Sequence, residues 1–118
     1  MKKVLIFSHN SPYDGIEAEE ALDFALATAS LEQEVSLVFI DDGIYQLLAQ
    51  QYPEKIMRRH HGKMIKLLEV YGVKNIYADD ASIKRLNFDR YPFVIGFKRL
   101  APEEIQPLTQ SHDVVMHF

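Results

Sequence analysis

Two nearly continuous apolar runs, "KVLIFS" at Lys3–Ser8 and "EVSLVFI" at Glu34–Ile40, flank a stretch with helical spacing. Runs without polar alternation read as strands buried on both faces, the habit of a parallel sheet. Between them Ala18, Ala21, Leu22, Ala25, Leu26 and Ala29 recur at three- and four-residue spacing, one apolar stripe on a helix from Gly15 to about Ser30. Asp14, Glu17, Glu19 and Glu20 crowd its start, where negative charge suits the helix dipole. A strand, a crossover helix and a parallel strand set the frame for everything that follows.

Further along, "GIYQLLAQQ" predicts a helix closed by Pro53 and capped by Asp41 or Asp42. "KMIKLLEVY" predicts an amphipathic helix with Met64, Ile65, Leu67, Leu68 and Tyr71 inward, stopped by Gly72. Asn75–Ala78, "NIYA", is a third strand, and Asp79 and Asp80 cap a brief helix "ASIKRL". "FVIGF", Phe93–Phe97, is expected as the fourth strand. Pro102 with Glu103 and Glu104 opens a helix that Pro107 shortens or kinks, and "DVVMHF" is the fifth strand. The expectation is one domain over 1–118, a three-layer α/β/α fold with a five-stranded, mainly parallel sheet.

The chain has 118 residues and no cysteine, which excludes disulfides, thiolate metal sites and any persulfide carried by this chain. Two lysines before "VLIF" resemble a signal peptide, but the apolar run stops at Phe7, so it reads as a strand and the cytoplasm is expected. Net charge is −4, against generic nucleic-acid affinity. The exception is Glu54–Lys66, at +4, where Lys55, Arg58, Arg59, Lys63 and Lys66 form an electrostatic dock for an acidic protein or, less favoured for want of aromatic residues, for RNA.

Motifs for small-molecule chemistry are sparse. The turn "SHNSPYDG" has the single Gly15 where a phosphate cradle needs several, and Ser8 and Ser11 lack a nucleophile elbow. Asp41 and Asp42 after the second strand and Asp79 after the third suggest a receiver-type magnesium site, but the fifth strand has no lysine. His60 and His61 are adjacent and so diverge on a helix; His9, His112 and His117 can meet only through folding. No metal or cofactor is expected. A flavodoxin-like small-molecule binder or enzyme remains an alternative, as does an RNA-binding component using Lys55–Lys66.

The junction "VFIDDGIYQLL", with Phe39, Asp42, Gly43 and Ile44, resembles that of the DsrE/DsrF/DsrH-like sulfur-transfer proteins. "FSHNSPYDGIEAEEALDFALATASL" is similar to their first turn and small-residue helix, and "PFVIGFKRLAPEEIQPLTQSHDVVMHF" to the C-terminal part of one branch. The resemblance implies a heterohexamer with TusB-like and TusD-like subunits. That assembly takes persulfide sulfur from TusA and hands it to TusE, toward 2-thiolation of the tRNA wobble uridine. In the TusD-like branch the carrier cysteine follows the third strand. The matching stretch here, "YADDASIKRL" around Ala78–Asp80, has no thiol, which implies a non-catalytic subunit. Asp42 is then expected as a helix cap, with Gly43, Ile44 and Tyr45 beside it shaping a subunit contact.

Overall fold

The computed structural model describes residues 1–49 and 61–118. Its elements in order are β1 (Lys3–Ser8), α1 (Glu17–Ser30), β2 (Glu34–Phe39), a 3-10 helix (Asp41–Leu47), α2 (His61–Val70), β3 (Asn75–Asp79), α3 (Asp80–Arg85), β4 (Lys98–Leu100), α4 (Pro102–Gln110) and β5 (Val114–His117). The sheet has five strands in the order β4-β3-β2-β1-β5, every neighbouring pair parallel. β1 lies in the middle of the exchange: Lys3–Ser8 pairs with Glu34–Phe39 on one side, and Val4–Phe7 with Val114–His117 on the other.

Right-handed crossovers put the helices met on the way from β1 to β4 on one face, and the helix of the return to β5 on the other. The two cores follow that division. Val4, Ile6, Leu37 and Phe39 pack with Ala21, Leu22 and Ala25 of α1, Ile65 and Leu68 of α2 and Ile83 of α3. Leu5, Phe7, Val38 and Leu100 form the second core, against Ile105 and Leu108 of α4. Leu5, Ile6 and Val38 are fully buried, each stabilising the fold by about 1.5–3 kcal/mol. The second face is thinly covered, since α4 has no fully buried residue.

The helices end as their sequences dictate. After α2, Gly72 takes φ +92°, the Val73 N–H donates to the Leu68 carbonyl and the Gly72 N–H to that of Glu69, a Schellman-type close. Tyr71, expected in the inward stripe, follows the last residue of α2 and is half exposed. In α4 the Glu104 carboxylate accepts from the Ala101 N–H, and the helix continues past Pro107 to Gln110.

Three expectations are corrected. "FVIGF" is not a strand: Phe93 forms an antiparallel bridge with Leu48, and β4 begins at Lys98. Phe93, Val94, Ile95 and Phe97 satisfy their apolar character by packing against the edge of the first core from an irregular segment. The helix expected from Gly43 is a 3-10 helix ending at Leu47, because tertiary bonds replace its next turn: Val94 N–H donates to the Leu47 carbonyl and Ala49 N–H to that of Pro92. Its expected end at Pro53 lies outside the described residues. Finally, neither Asp41 nor Asp42 caps it; the N-cap position falls on Ile40, without a side-chain cap bond.

Candidate functional site

In a parallel sheet all strands point their carboxyl ends to one edge, and ligands of open α/β folds bind there where the strand order reverses. Here the reversal is at β1, with β2 on one side and β5 on the other. The residues leaving these three strands are His9, Asp41 and His117, and they touch. His9 Nδ1 lies 2.8 Å from Asp41 Oδ2, and His9 Nε2 lies 2.9 Å from His117 Nδ1.

Donor and acceptor roles follow from the carboxylate. Ionised Asp41 can only accept, so His9 carries its proton on Nδ1. Neutral His9 then accepts at Nε2 from the Nδ1–H of His117, leaving His117 Nε2 as the unprotonated nitrogen. Phe7, the register partner of His117, stacks on its ring at 4.7 Å between centroids and 5° between planes. Burial, and then the repulsion that His9 exerts when it is protonated, hold His117 below the ordinary histidine value. Arg85 Nη2 lies 3.7 Å from Asp41 Oδ1. Asp41 itself adopts φ +53°, the left-handed region that a non-glycine residue enters at a cost.

The loop beneath this cluster is held from inside. Gln46, almost fully buried, donates from Nε2 to Ser8 Oγ at 2.7 Å and to the Asn10 carbonyl at 3.0 Å. Its Oε1 accepts from His61 Nε2 at 2.8 Å. Gly43 sits against the end of β1, where a Cβ would run into the Ser8 carbonyl oxygen. The glycine therefore serves a close approach between the 3-10 helix and β1.

At the end of β3 the edge is closed. Asp79 is buried, and its Oδ2 accepts from the Ser82 N–H at 3.1 Å and the Ser82 hydroxyl at 2.6 Å, capping α3. Ser82 Oγ in turn accepts from the Asp41 N–H at 2.9 Å, so this latch joins β3 to the Asp41 turn. Asp80 does not cap: it is the first residue of α3 and binds Lys84 at 3.1 Å and Arg99 Nε at 2.6 Å. Hydrogen bonding to Lys84, then to Arg99, holds its carboxyl below the ordinary aspartate value.

The residues expected at a subunit contact divide. Asp42 is exposed and Tyr45 half-buried, whereas Gly43 and Ile44 are buried within this chain. Tyr45 meets Phe88 edge-on at 5.3 Å, and Phe88 meets the half-exposed Tyr91 at 4.8 Å, giving a small aromatic surface. Of the expected dock, Lys63 and Lys66 are exposed on α2; Lys55, Arg58 and Arg59 lie outside the described residues.

Sequence reasoning left His9 and His117 apart because they are 108 residues distant and meet only once β5 is known to flank β1. Their one sequence signal is position, each falling at the carboxyl end of an apolar run. His112 does not join them: it binds Ser36 Oγ at 2.9 Å and the Leu108 carbonyl at 2.8 Å, fastening the end of α4 to the sheet. Among the described residues no group of three or more His, Cys, Asp or Glu could hold a metal ion, and no helix is long and apolar enough to cross a membrane.

The chain is similar to Protein TusC of Klebsiella pneumoniae (strain 342) and of Escherichia coli O157:H7, each 29% identical over 119 residues with both chains covered in full. Its fold matches the crystal structure of the ychN protein from E. coli with a TM-score of 0.88 at 21% identity, again over the whole of both chains. The DsrE/DsrF-like family matches residues 2–118, so with the parallel five-stranded sheet and its helices already in place, this chain belongs to the DsrE/DsrF-like family.

Proposed function

We propose that this chain is a non-catalytic subunit of a TusBCD-type sulfur-relay complex in the cytoplasm, which passes persulfide sulfur from TusA to TusE for 2-thiolation of the tRNA wobble uridine. The full-length similarity to two proteins named TusC supports this reading. The observation that carries the non-catalytic part is the turn after β3. A thiol would be needed there to hold sulfane sulfur, and this chain has a buried Asp79 whose carboxylate is committed to Ser82. The chain contains no cysteine elsewhere to replace it.

The partners in this reading are TusB-like and TusD-like subunits in a heterohexamer, with the 118 residues acting as one domain. Asp42 and Tyr45, continued by Phe88 and Tyr91, are the surface we assign to a subunit contact, and Gly43 and Ile44 act behind it by fixing the shape of the turn. Aromatic side chains with polar tips suit such a role, being large, rigid and half-wet. Lys63 and Lys66, in the segment with Lys55, Arg58 and Arg59, offer a positive surface to TusA or TusE.

Native mass spectrometry of the chain co-expressed with TusB-like and TusD-like subunits tests the reading. A discrete complex of all three is expected, with labelled sulfur on a partner and none on this chain. Tyr45→Asp is expected to weaken that complex by about tenfold or more, the effect of burying an unpaired charge at a contact. A chain that stays alone beside folded partners overturns the proposal.

A further inference from the structure

The Asp41–His9–His117 chain is more than a fastening between strand ends. Backbone bonds already hold those ends together: the His9 N–H donates to the Phe118 carbonyl and the Phe118 N–H to that of Phe7, both at 2.9 Å. The His9–Asp41 pair adds little stability, since the two side chains are 31% and 52% exposed. Asp41 nonetheless holds left-handed backbone, with its N–H fixed by Ser82 and its carboxylate aimed at His9. Strain kept at an exposed polar cluster, at the place where the strand order reverses, is the signature of a working site.

The order of groups defines what the site can do. A carboxylate orients one imidazole, and that imidazole accepts from a second, whose Nε2 lone pair is free to take a proton. On taking it, His117 becomes an imidazolium whose Nδ1–H already points at His9 Nε2, with the negative Asp41 behind. Among the described residues, the charged and titratable groups linked to His117 are His9 from the end of β1, then Asp41 from the 3-10 helix through His9, then Arg85 of α3 through Asp41; Phe7 stacks on the ring.

We propose that His117, oriented through His9 and Asp41, is the base that takes the proton from a thiol presented by a partner subunit. The inference rests on the sulfur-relay reading above. A thiol is the acid to expect because its ordinary value, about 8.5, lies within reach of an imidazole and only its thiolate attacks sulfur. It must come from outside, as this chain has none. The step is a proton transfer alone: the S–H bond breaks, its electron pair stays on sulfur and the proton bonds to Nε2 of His117. The proton on Nδ1 of His117 stays where it is, as does the one on Nδ1 of His9. His117 is thus the proton acceptor for a nucleophile carried by its neighbour, and His9 and Asp41 are its positioning residues.

The test follows alkylation of the partner thiol by iodoacetamide in the purified three-subunit complex, from weakly acid to weakly alkaline pH, with native mass spectrometry on the same samples. In His117→Gln the midpoint is expected to rise by about one pH unit, slowing alkylation about tenfold at neutral pH. Asp41→Asn is expected to shift it the same way and less. Added imidazole is expected to restore the rate in His117→Ala, which a structural role would not allow. An intact His117→Gln or Asp41→Asn complex with the wild-type profile overturns the inference and leaves the function reading standing. Failure of the wild-type chain to assemble overturns both.

Discussion

The carboxyl edge of the sheet has two ends that treat their polar groups in opposite ways. Beyond β3, Asp79 is buried and its Oδ2 is committed to the N–H and hydroxyl of Ser82. Between β1 and β5, His9, Asp41 and His117 remain accessible and linked in series. Both ends are joined through Ser82, which receives the Asp41 N–H. Closing one end anchors the other: the latch that seals the β3 turn also holds the backbone from which Asp41 reaches His9.

The difference is sharpest in what each carboxylate supports. Asp79→Ala should cost about 2–4 kcal/mol in urea unfolding, because it strands buried donors of Ser82 and removes the cap of α3. Asp42→Ala, on the exposed neighbour of Asp41, should stay within about 0.5 kcal/mol in the same measurement. Equal effects would break the contrast between a sealed and an open end. Gly43→Ala should come next, at about 1–3 kcal/mol, since the new methyl must push the 3-10 helix off the Ser8 carbonyl. Its effect should reach the open end as well, seen as changed NMR shifts of the His9 ring.

The smallest effect is that of pH. His117 has a folded value below its unfolded one, so the unfolded chain binds its proton first as pH falls. Stability should therefore be unaffected by this group above the ordinary histidine value, about 6.5, and decline as pH drops from there through the lowered folded value. Unfolding midpoints of wild type and His117→Gln across that window should converge at alkaline pH and separate at acid pH. A parallel course would remove the basis for treating the open end as titratable.

Much of the scaffold is legible in the sequence. The double-sided runs of β1 and β2, the alanine stripe of α1 and the Pro-Glu-Glu start of α4 each carry a local physical signal, and each element forms where that signal lies. "FVIGF" carries the same apolar signal without becoming a strand, because Leu47–Ala49 takes up its backbone bonds and the following "KRL" finds β3. "DDG" does begin a helix, the 3-10 helix, but left-handed backbone at Asp41 accompanies a carboxylate bonded to His9 in place of a cap, and no local pattern announces that. Charge and apolar spacing speak for neighbours in sequence. The open end is built from residues that only the strand order brings together.

That strand order also sets a sequence of events. The start of β1 is tied to Gln33, 31 residues away, and to Asp113, 110 residues away. Closing the longer loop costs about 1 kcal/mol more in chain entropy, and such distant pairings form late in folding. The sheet can grow stepwise from β1 to β4 by short crossovers, but β5 must return past three strands to reach its place. His117 arrives with it. The histidine pair is therefore completed last in this order: a chain without β5 in place would lack the His117–His9 contact.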